Sequence, residues 1–220
     1  DALQNALSLF HNYDAKIAEK VRSDEEKADR FEDSLGTYLV KLSSQDMLES
    51  DSREITKLLH LIGDFERISD HAVNIVESAE EMRDKKIIFS GDAKHELTVM
   101  ISAVNDIVEL ACKSFIHADL KSAALVEPLE QVVDYLRDQI KLNHILRLQK
   151  NECTIEHGFI LNDMLTNFER VADHCSNIAG CMIEISQHDS LEMHKYLEEI
   201  KLNDEDFNQK FREFKHKYAL

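Results

Sequence analysis

The stretch FERISDHAVNI at residues 65–75 returns as FERVADHCSNI at residues 168–178, which is 103 residues further along the chain. Seven of the eleven positions are identical, and they include all of the acidic and basic residues. Apolar residues recur in both copies at every third or fourth position, which is the spacing of one face of an α-helix. The two copies therefore predict two equivalent helices, each with an apolar face and a polar face.

The repeat extends beyond this helix. In the preceding helical segments, Glu25 and Glu32 align with Glu127 and Asp134 at a spacing of 102 residues. The two spacings differ by one residue, so the sequence predicts two copies of one three-helix unit. The clearest boundary between the copies is FSGD at residues 89–92, where a glycine that stops one helix precedes an aspartate that caps the next.

The composition predicts an all-α fold. The 220 residues contain one proline and five glycines, the residues that most often form turns and end strands. Helical spacing of apolar residues covers nearly the whole chain, and the predicted helices are residues 2–22, 24–43, 53–85, 92–117, 121–150 and 154–187. We therefore predict two tandem three-helix bundles, residues 1–90 and 91–188, followed by a short helical C-terminal tail at residues 189–220.

The charge and the cysteines limit the function classes. Acidic residues outnumber basic residues by 43 to 26, a net charge of −17, which excludes a duplex nucleic-acid binder and disfavours docking on anionic lipid. The four cysteines form no CxxC pair, which predicts reduced thiols and the cytosol. No apolar run is long enough to cross a membrane, and no signal segment opens the sequence. The sequence begins at Asp1 without an initiator Met, and its first residues already follow the helical pattern, so we expect it to be a piece of a longer polypeptide.

The repeated polar face is predicted to bind cations. Glu66 and Asp70 lie one helical turn apart, as do Glu169 and Asp173, and each pair of like charges costs a helix a few tenths of a kcal/mol. A merely solvated face would be free to vary between the copies, yet its polar residues are the same in both. The preceding helix of each unit supplies further carboxylates at helical spacing: Glu25, Asp29 and Glu32 in the first unit, and Glu130 and Asp134 in the second.

The residue types also indicate which cations would bind. Clusters of carboxylate oxygens suit Mg, Ca, Mn or Fe, and an adjacent imidazole shifts the preference towards iron or zinc. His71 and His174 follow the two aspartates but point about 100° away from them around the helix, so we expect them to belong to a surrounding polar network rather than to bind metal. Arg67 and Arg170 are expected to hold carboxylates in place. The predicted surrounding residues are Arg67, His71, Asn74, Arg170, His174 and Asn177.

Two other function classes are alternatives. Helix-bundle di-iron enzymes use a Glu-x-x-His motif on each of two helices, and this chain has one such spacing, Glu213 to His216, in the polar tail. Because no nucleophile–base pattern accompanies it, we predict no catalytic residue and a chain that is not an enzyme. A purely structural helical interaction module is the remaining alternative.

The doubled Glu-x-x-x-Asp motif, at residues 66–70 and 169–173, resembles the pattern of the PhoU family of phosphate-regulation proteins, and the resemblance covers essentially the whole chain. Several segments look like the PhoU-like domain at the C-terminal end of bacterial Na/phosphate cotransporter proteins. These segments are residues 38–42, 58–64, 126–130, 152–156 and 214–218.

The resemblance implies two three-helix bundles related by a pseudo-twofold axis, with multinuclear iron or zinc clusters at the Glu/Asp-x-x-x-Asp motifs. The residues that match these motifs are Glu66 with Asp70, Glu169 with Asp173, Glu25 with Asp29, and Glu130 with Asp134. The copies depart from each other on the preceding helices, where Ala28 stands in the place of Glu130 and Gln131 in the place of Asp29. The resemblance therefore implies two unequal metal sites.

The function implied by the resemblance is that of a cytoplasmic, metal-binding regulatory domain in phosphate transport, attached to a Na/phosphate cotransporter. Its expected partner is a membrane transporter module of the same or a partner chain, at the inner face of the cell membrane, and phosphate and a second copy of the chain are further expected partners. The alternatives are a free-standing PhoU-type regulator of phosphate uptake and a di-metal carboxylate enzyme.

Overall fold

The computed structural model describes residues 1–46, 48–187 and 205–220. These residues form seven helices and no strand, which confirms the predicted all-α fold. The helices are α1 (Ala2–Ser8), α2 (Ala15–Ser43), α3 (Glu49–Asp84), α4 (Gly91–His117), α5 (Leu120–Gln149), α6 (Ile155–Gln187) and α7 (Glu205–Lys217). No helix among the described residues is both long enough and apolar enough to cross a membrane.

The helices form two bundles. The three N-terminal helices, α1, α2 and α3, pack on one another, and α4, α5 and α6 do the same. Helix α3 packs along α6 and joins the bundles, and the buried apolar side chains of both bundles belong to one connected core. The division into domains at residues 90 and 188 stays a prediction.

The first helix was predicted wrongly. We expected one helix over residues 2–22, but α1 ends at Ser8 and α2 begins at Ala15. The N-cap of α2 is Asp14, whose side chain accepts a hydrogen bond from the Lys16 backbone N–H at 2.8 Å. Apolar residues keep helical spacing on both sides of this turn, which hides it in the sequence. Ser23 and Asp24 look like a capping site, yet they lie inside α2, where tertiary packing extends the helix.

The boundary between the repeats lies where we predicted it, with a different capping residue. Ser90, not Asp92, is the N-cap of α4, and its side chain accepts a hydrogen bond from the backbone N–H of Ala93 at 3.3 Å. Gly91 begins the helix instead of ending the previous one. Asp92 lies in the first turn, where its negative charge interacts favourably with the helix dipole.

The described part of the predicted tail is held against the second bundle. Helix α7 packs on α5, and Lys215 lies over the ring of Tyr135 with its Nζ 3.8 Å from the ring centroid. Tyr218 is buried and donates a hydrogen bond to Asp106 of α4, whose Oδ2 also lies 2.5 Å from Nζ of Lys217. The predicted start of the tail at residue 189 lies outside the described residues.

Candidate functional site

The predicted carboxylates of the first bundle come together between α2 and α3. We call them the first carboxylate cluster: Glu25, Asp29, Glu32, Glu66 and Asp70. Partial burial raises the pKa of Glu25, and the charges of Asp29 and Asp70 raise it further. Partial burial and Asp70 also raise the pKa of Glu66, to which Glu32 and Asp29 add, while Arg67 opposes the shift. The two helices therefore bring the five predicted acids into one negative field.

This negative charge has no cationic partner among the residues described. None of the five side chains takes part in an ion pair or a hydrogen bond within residues 1–46, 48–187 and 205–220. Arg67 is exposed and acts on Glu66 only through its charge. A bound cation would relieve the repulsion between carboxylates, which adds to the effect of partial burial on these pKa values, so the donor set of the first carboxylate cluster fits a metal ion.

The side chains of the first carboxylate cluster are not arranged as a coordination sphere. No group of three or more His, Cys, Asp or Glu side chains in the described parts of the chain is positioned to hold a metal ion. Metal binding would thus require these carboxylates to rotate towards a common point.

The acids of the second bundle lie between α5 and α6, and four of the five are equivalent to acids of the first bundle. We call them the second carboxylate cluster: Glu127, Glu130, Asp134, Glu169 and Asp173. Two of these carboxylates share one arginine, because Nη1 of Arg137 lies 2.9 Å from Oδ1 of Asp134 and also contacts Oε1 of Glu169. Nε of the same arginine lies 3.0 Å from Oδ1 of Asp138. The side chain of Arg137 is only 18% exposed, so this ion pair is largely shielded from solvent.

The other carboxylates of this cluster have polar partners as well. Glu127 accepts a hydrogen bond from Oγ of Ser176, and Glu130 accepts one from Nε2 of Gln131 at 2.9 Å. Burial raises the pKa of Asp173, and the charges of Glu169 and Asp134 add to the rise. Nη1 of Arg170 lies 3.9 Å from Oδ2 of Asp173 and opposes that shift.

A polar cavity of about 300 Å³ lies beside these acids. Glu127 and Glu130 line it from α5, and the α6 residues that line it are Arg170, Asp173, His174, Ser176 and Asn177. The cavity is large enough for an ion with its water ligands, but Glu127 and Glu130 already accept hydrogen bonds there, and Arg170 lies near Asp173.

The two predicted histidines form hydrogen bonds between the bundles, and His174 also lines the polar cavity described above. Nδ1–H of His71 donates to Oδ1 of Asn167 at 2.9 Å, and Nδ1–H of His174 donates to Oδ1 of Asp64 at 2.8 Å. Asn177 also donates to Oδ1 of Asp64, at 3.2 Å. Burial lowers the pKa of His71, which favours its neutral form.

These two hydrogen bonds are equivalent in the repeat. The spacing of 103 residues that relates His71 to His174 also relates Asp64 to Asn167. Each histidine therefore bonds to the residue that precedes its partner histidine by two helical turns, which is the pattern that a pseudo-twofold axis between α3 and α6 produces.

The remaining predicted residues have modest roles. Arg67 forms no ion pair within the described residues. Asn74 is half-buried, and its backbone carbonyl accepts a hydrogen bond from Oγ of Ser78 at 3.1 Å.

The sequence reasoning missed Glu127, Ser176 and Arg137 as site residues. The alignment of Glu127 with Glu25 was a usable signal for the first. For Arg137 the signal was a difference between the copies, since Leu35 occupies its place in the first unit.

Comparisons with known proteins identify the family. A family model described as the PhoU domain matches residues 1–79 and 97–182. The chain is 23% identical over 186 residues to the phosphate-specific transport system accessory protein PhoU homolog 1 of Thermotoga maritima, a match that covers 84% of this chain and 79% of that protein. It is 24% identical over 181 residues to a PhoU homolog of Xylella fastidiosa strain 9a5c, covering 80% and 74% of the two chains.

Two crystal structures have the same fold. PhoU from Pseudomonas aeruginosa superposes with a TM-score of 0.77 at 21% identity, covering 86% of this chain and 90% of that one. The phosphate transport system regulatory protein PhoU from Streptococcus pneumoniae superposes with a TM-score of 0.69 at 16% identity, covering 87% and 89%. The family model spans well over half of the sequence, and the fold agrees with it: the chain belongs to the PhoU domain family.

Proposed function

We propose that this chain is a regulatory accessory protein of phosphate transport that binds metal ions at a carboxylate cluster. The names of its relatives support the first part, since they are phosphate-specific transport system accessory proteins. Those names describe accessory and regulatory proteins rather than enzymes, which supports a non-catalytic role at the level of the family.

The relatives favour the free-standing form of the function over the predicted attachment to a cotransporter. None of the relatives described above carries the name of a Na/phosphate cotransporter. The proposal of a transporter-attached domain rests on the sequence segments that resemble that branch, such as residues 152–156. The reading frame that surrounds this sequence tests it, because a run of transmembrane segments upstream would establish the attached form.

The single observation that carries the metal proposal is the first carboxylate cluster. Five carboxylates from two helices lie in one negative field there without a cationic partner among the described residues, and the pKa values of Glu25 and Glu66 are raised. His71 bonds to Asn167 and is directed away from the cluster. A site with only oxygen ligands suits hard cations such as Mg, Ca, Mn or Fe, and iron is the one of these that the family resemblance implies.

Phosphate would bind through the metal rather than through the protein. A cluster of five carboxylates repels an anion unless a cation lies between them. We therefore propose that phosphate binding, and docking on a membrane transporter at the inner face of the cell membrane, both depend on the metal-loaded state. A homodimer stays a prediction.

Elemental analysis of the full chain, purified without chelator, tests metal binding. Glu66→Ala/Asp70→Ala should lose the metal that the wild type retains. The matched control is Glu77→Ala/Glu81→Ala, which removes two acids at the same spacing from the same helix but outside the cluster. Equal metal content in the wild type and the first variant would contradict the proposal.

Two further measurements separate the alternatives. Chelation should lower the melting temperature, because a ligand that binds only the folded state stabilises it by mass action, whereas a purely structural helical module would melt unchanged. Phosphate uptake by a bacterial strain that lacks its own PhoU should change when the chain is supplied and not when the Glu66→Ala/Asp70→Ala variant is. Turnover of a phosphoester or of O₂ by the metal-loaded chain would instead favour the enzyme alternative.

A further inference from the structure

The surroundings of the two carboxylate clusters differ at a position that adds a positive charge to only one of them. Arg137 follows Asp134 by three residues on α5, and the equivalent position on α2, three residues after Glu32, is Leu35. Leu35 is 46% exposed and has no charge, so the first bundle has no counterpart of the arginine. The repeat therefore contains a cation in one copy and an apolar side chain in the other.

Arg137 lies where a bridging cation would be needed. Its guanidinium contacts Asp134 of its own helix and Glu169 of α6. The equivalent residues of the first copy, Glu32 and Glu66, are also acidic. A guanidinium shared by two carboxylates neutralises their repulsion and donates hydrogen bonds to both, which are the two effects that a bridging metal ion would supply. With the guanidinium between these oxygens, a metal ion cannot bridge Asp134 and Glu169.

The other acids of the second carboxylate cluster also have polar neighbours. Ser176 donates to Glu127, Gln131 donates to Glu130, and Arg170 lies near Asp173. The first carboxylate cluster differs, because none of its five acids pairs with a cation or accepts a hydrogen bond among the described residues. The two copies share four of their five acids but not the groups that balance them.

We propose that Arg137 takes the place of a metal ion between Asp134 and Glu169, so that the second bundle carries its own counter-ion and only the first bundle binds metal. This inference rests on the proposed metal-binding function. It assigns that function to one half of the molecule and makes Leu35 and Arg137 the residues that determine which half binds.

Reciprocal substitutions test the inference on the full chain, with Zn²⁺ and anaerobic Fe²⁺ as the probes after removal of bound metal. Arg137→Leu should gain bound metal, and the gain should disappear in Arg137→Leu/Glu169→Ala/Asp173→Ala. Arg137→Lys, which retains the positive charge, is the matched control and should gain less. Leu35→Arg, at an exposed position that tolerates a long side chain, should lose most of the metal that the wild type binds.

Calorimetric titration gives the number of ions bound, and the shift of the melting temperature on adding metal gives a second readout. The metal-dependent shift should be larger for Arg137→Leu than for the wild type. If Glu169→Ala/Asp173→Ala reduces the metal content of the wild type as much as Glu66→Ala/Asp70→Ala does, the inference is wrong while metal binding stands.

Failure of the proposed function gives a different result. If the wild type binds neither probe, the proposed metal binding is wrong. In that case, a metal-dependent rise of the melting temperature that appears only in Arg137→Leu would still support the replacement of a cation by Arg137. If folded Arg137→Leu gains no metal and Leu35→Arg keeps the wild-type amount, the inference is overturned. Far-UV circular dichroism establishes that each variant is folded.

Discussion

The imidazole rings of His71 and His174 face each other in the interface between α3 and α6, with their centroids 5.6 Å apart and their planes at 31°. They are equivalent residues of the two repeat units, so the pseudo-twofold axis passes between them. Each ring donates a hydrogen bond to the helix of the other unit, to Asn167 and to Asp64. The two bundles are thus joined by a symmetric polar network as well as by apolar packing.

This network predicts the effect of substitutions at Asp64. Asp64→Ala removes the acceptor of His174 and Asn177 and leaves two partly buried donors unpaired, so we expect a loss of about 1–3 kcal/mol in the free energy of unfolding. Asp64→Asn retains an acceptor, as Asn167 does at the equivalent position, and should cost less than about 1 kcal/mol. Urea unfolding at neutral pH measures both, and equal losses would contradict a role for the hydrogen bonds.

The raised pKa of Glu66 predicts a stabilising substitution. A carboxyl group whose pKa is raised on folding is destabilising when it is charged, above the folded pKa, and this cost vanishes as the pH falls below its ordinary value of about 4.3. In the presence of chelator, Glu66→Gln should therefore be more stable than the wild type at pH 7.5, by a few tenths of a kcal/mol. The difference should shrink towards pH 4.

Metal ions should reverse this order. With saturating Fe²⁺ under anaerobic conditions the wild type should become the more stable protein, because Glu66→Gln removes a ligand charge. Thermal unfolding with and without metal checks both orders. If Glu66→Gln were less stable than the wild type in chelator, the repulsion argued for the first carboxylate cluster would be contradicted.

The ion pair between Glu96 and Arg147 predicts a large loss of stability. The two side chains are 8% and 9% exposed, and two hydrogen bonds of 2.8 and 2.7 Å join α4 to the end of α5. Arg147→Met leaves the Glu96 carboxylate buried without its counter-ion and should cost about 3–5 kcal/mol. Replacing both residues, in Glu96→Leu/Arg147→Met, should cost much less, and a double-mutant cycle by urea unfolding measures the difference.

The pKa of Glu80 predicts a pH dependence of the opposite sign. Hydrogen bonds from Arg22, and a further one from Tyr13, lower its pKa although partial burial opposes them. Since the folded pKa lies below the unfolded one, this stabilisation is present above the ordinary pKa of about 4.3 and is lost as the pH falls through the folded pKa. Glu80→Gln should lower the free energy of unfolding by about 1 kcal/mol at pH 7. The difference should vanish at a pH low enough to protonate Glu80 in both the folded and the unfolded wild type.

Unfolding curves of the wild type and Glu80→Gln across the acidic range check this dependence. Glu54→Gln is the control, because Glu54 lies on the same helix, is exposed and forms no ion pair among the described residues. A constant difference between the wild type and Glu80→Gln at all pH values would show that the charge of Glu80 does not act through Arg22.

The contact between Tyr218 and Asp106 predicts how the C-terminal helix is anchored. The buried ring packs on the core, and its hydroxyl group donates to Asp106. Tyr218→Phe keeps the packing and removes the hydrogen bond, which is worth about 1 kcal/mol. We expect faster amide hydrogen exchange in α7 and unchanged exchange in α3, since the lost bond fastens one helix only. Equal exchange in α7 of both proteins would contradict the anchoring role.

The sequence by itself determined the features that depend on local spacing. The doubled motif placed Glu66 with Asp70, and Glu169 with Asp173, on polar faces of two equivalent helices, because residues four apart share a helix face whatever surrounds them. The same periodicity predicted the all-α fold, and the matching of the two copies predicted its symmetry.

Only the tertiary structure decided the features that depend on contacts between distant segments. Asp14 caps α2 within the stretch that was predicted as a single first helix, and both α1 and α2 pack on α3. The approach of Arg137 to Glu169 joins two helices, and the bonding of His71 to Asn167 joins two bundles. Local spacing carries no information on which neighbouring helix a long side chain reaches, so the difference in charge balance between the two clusters required the packed molecule.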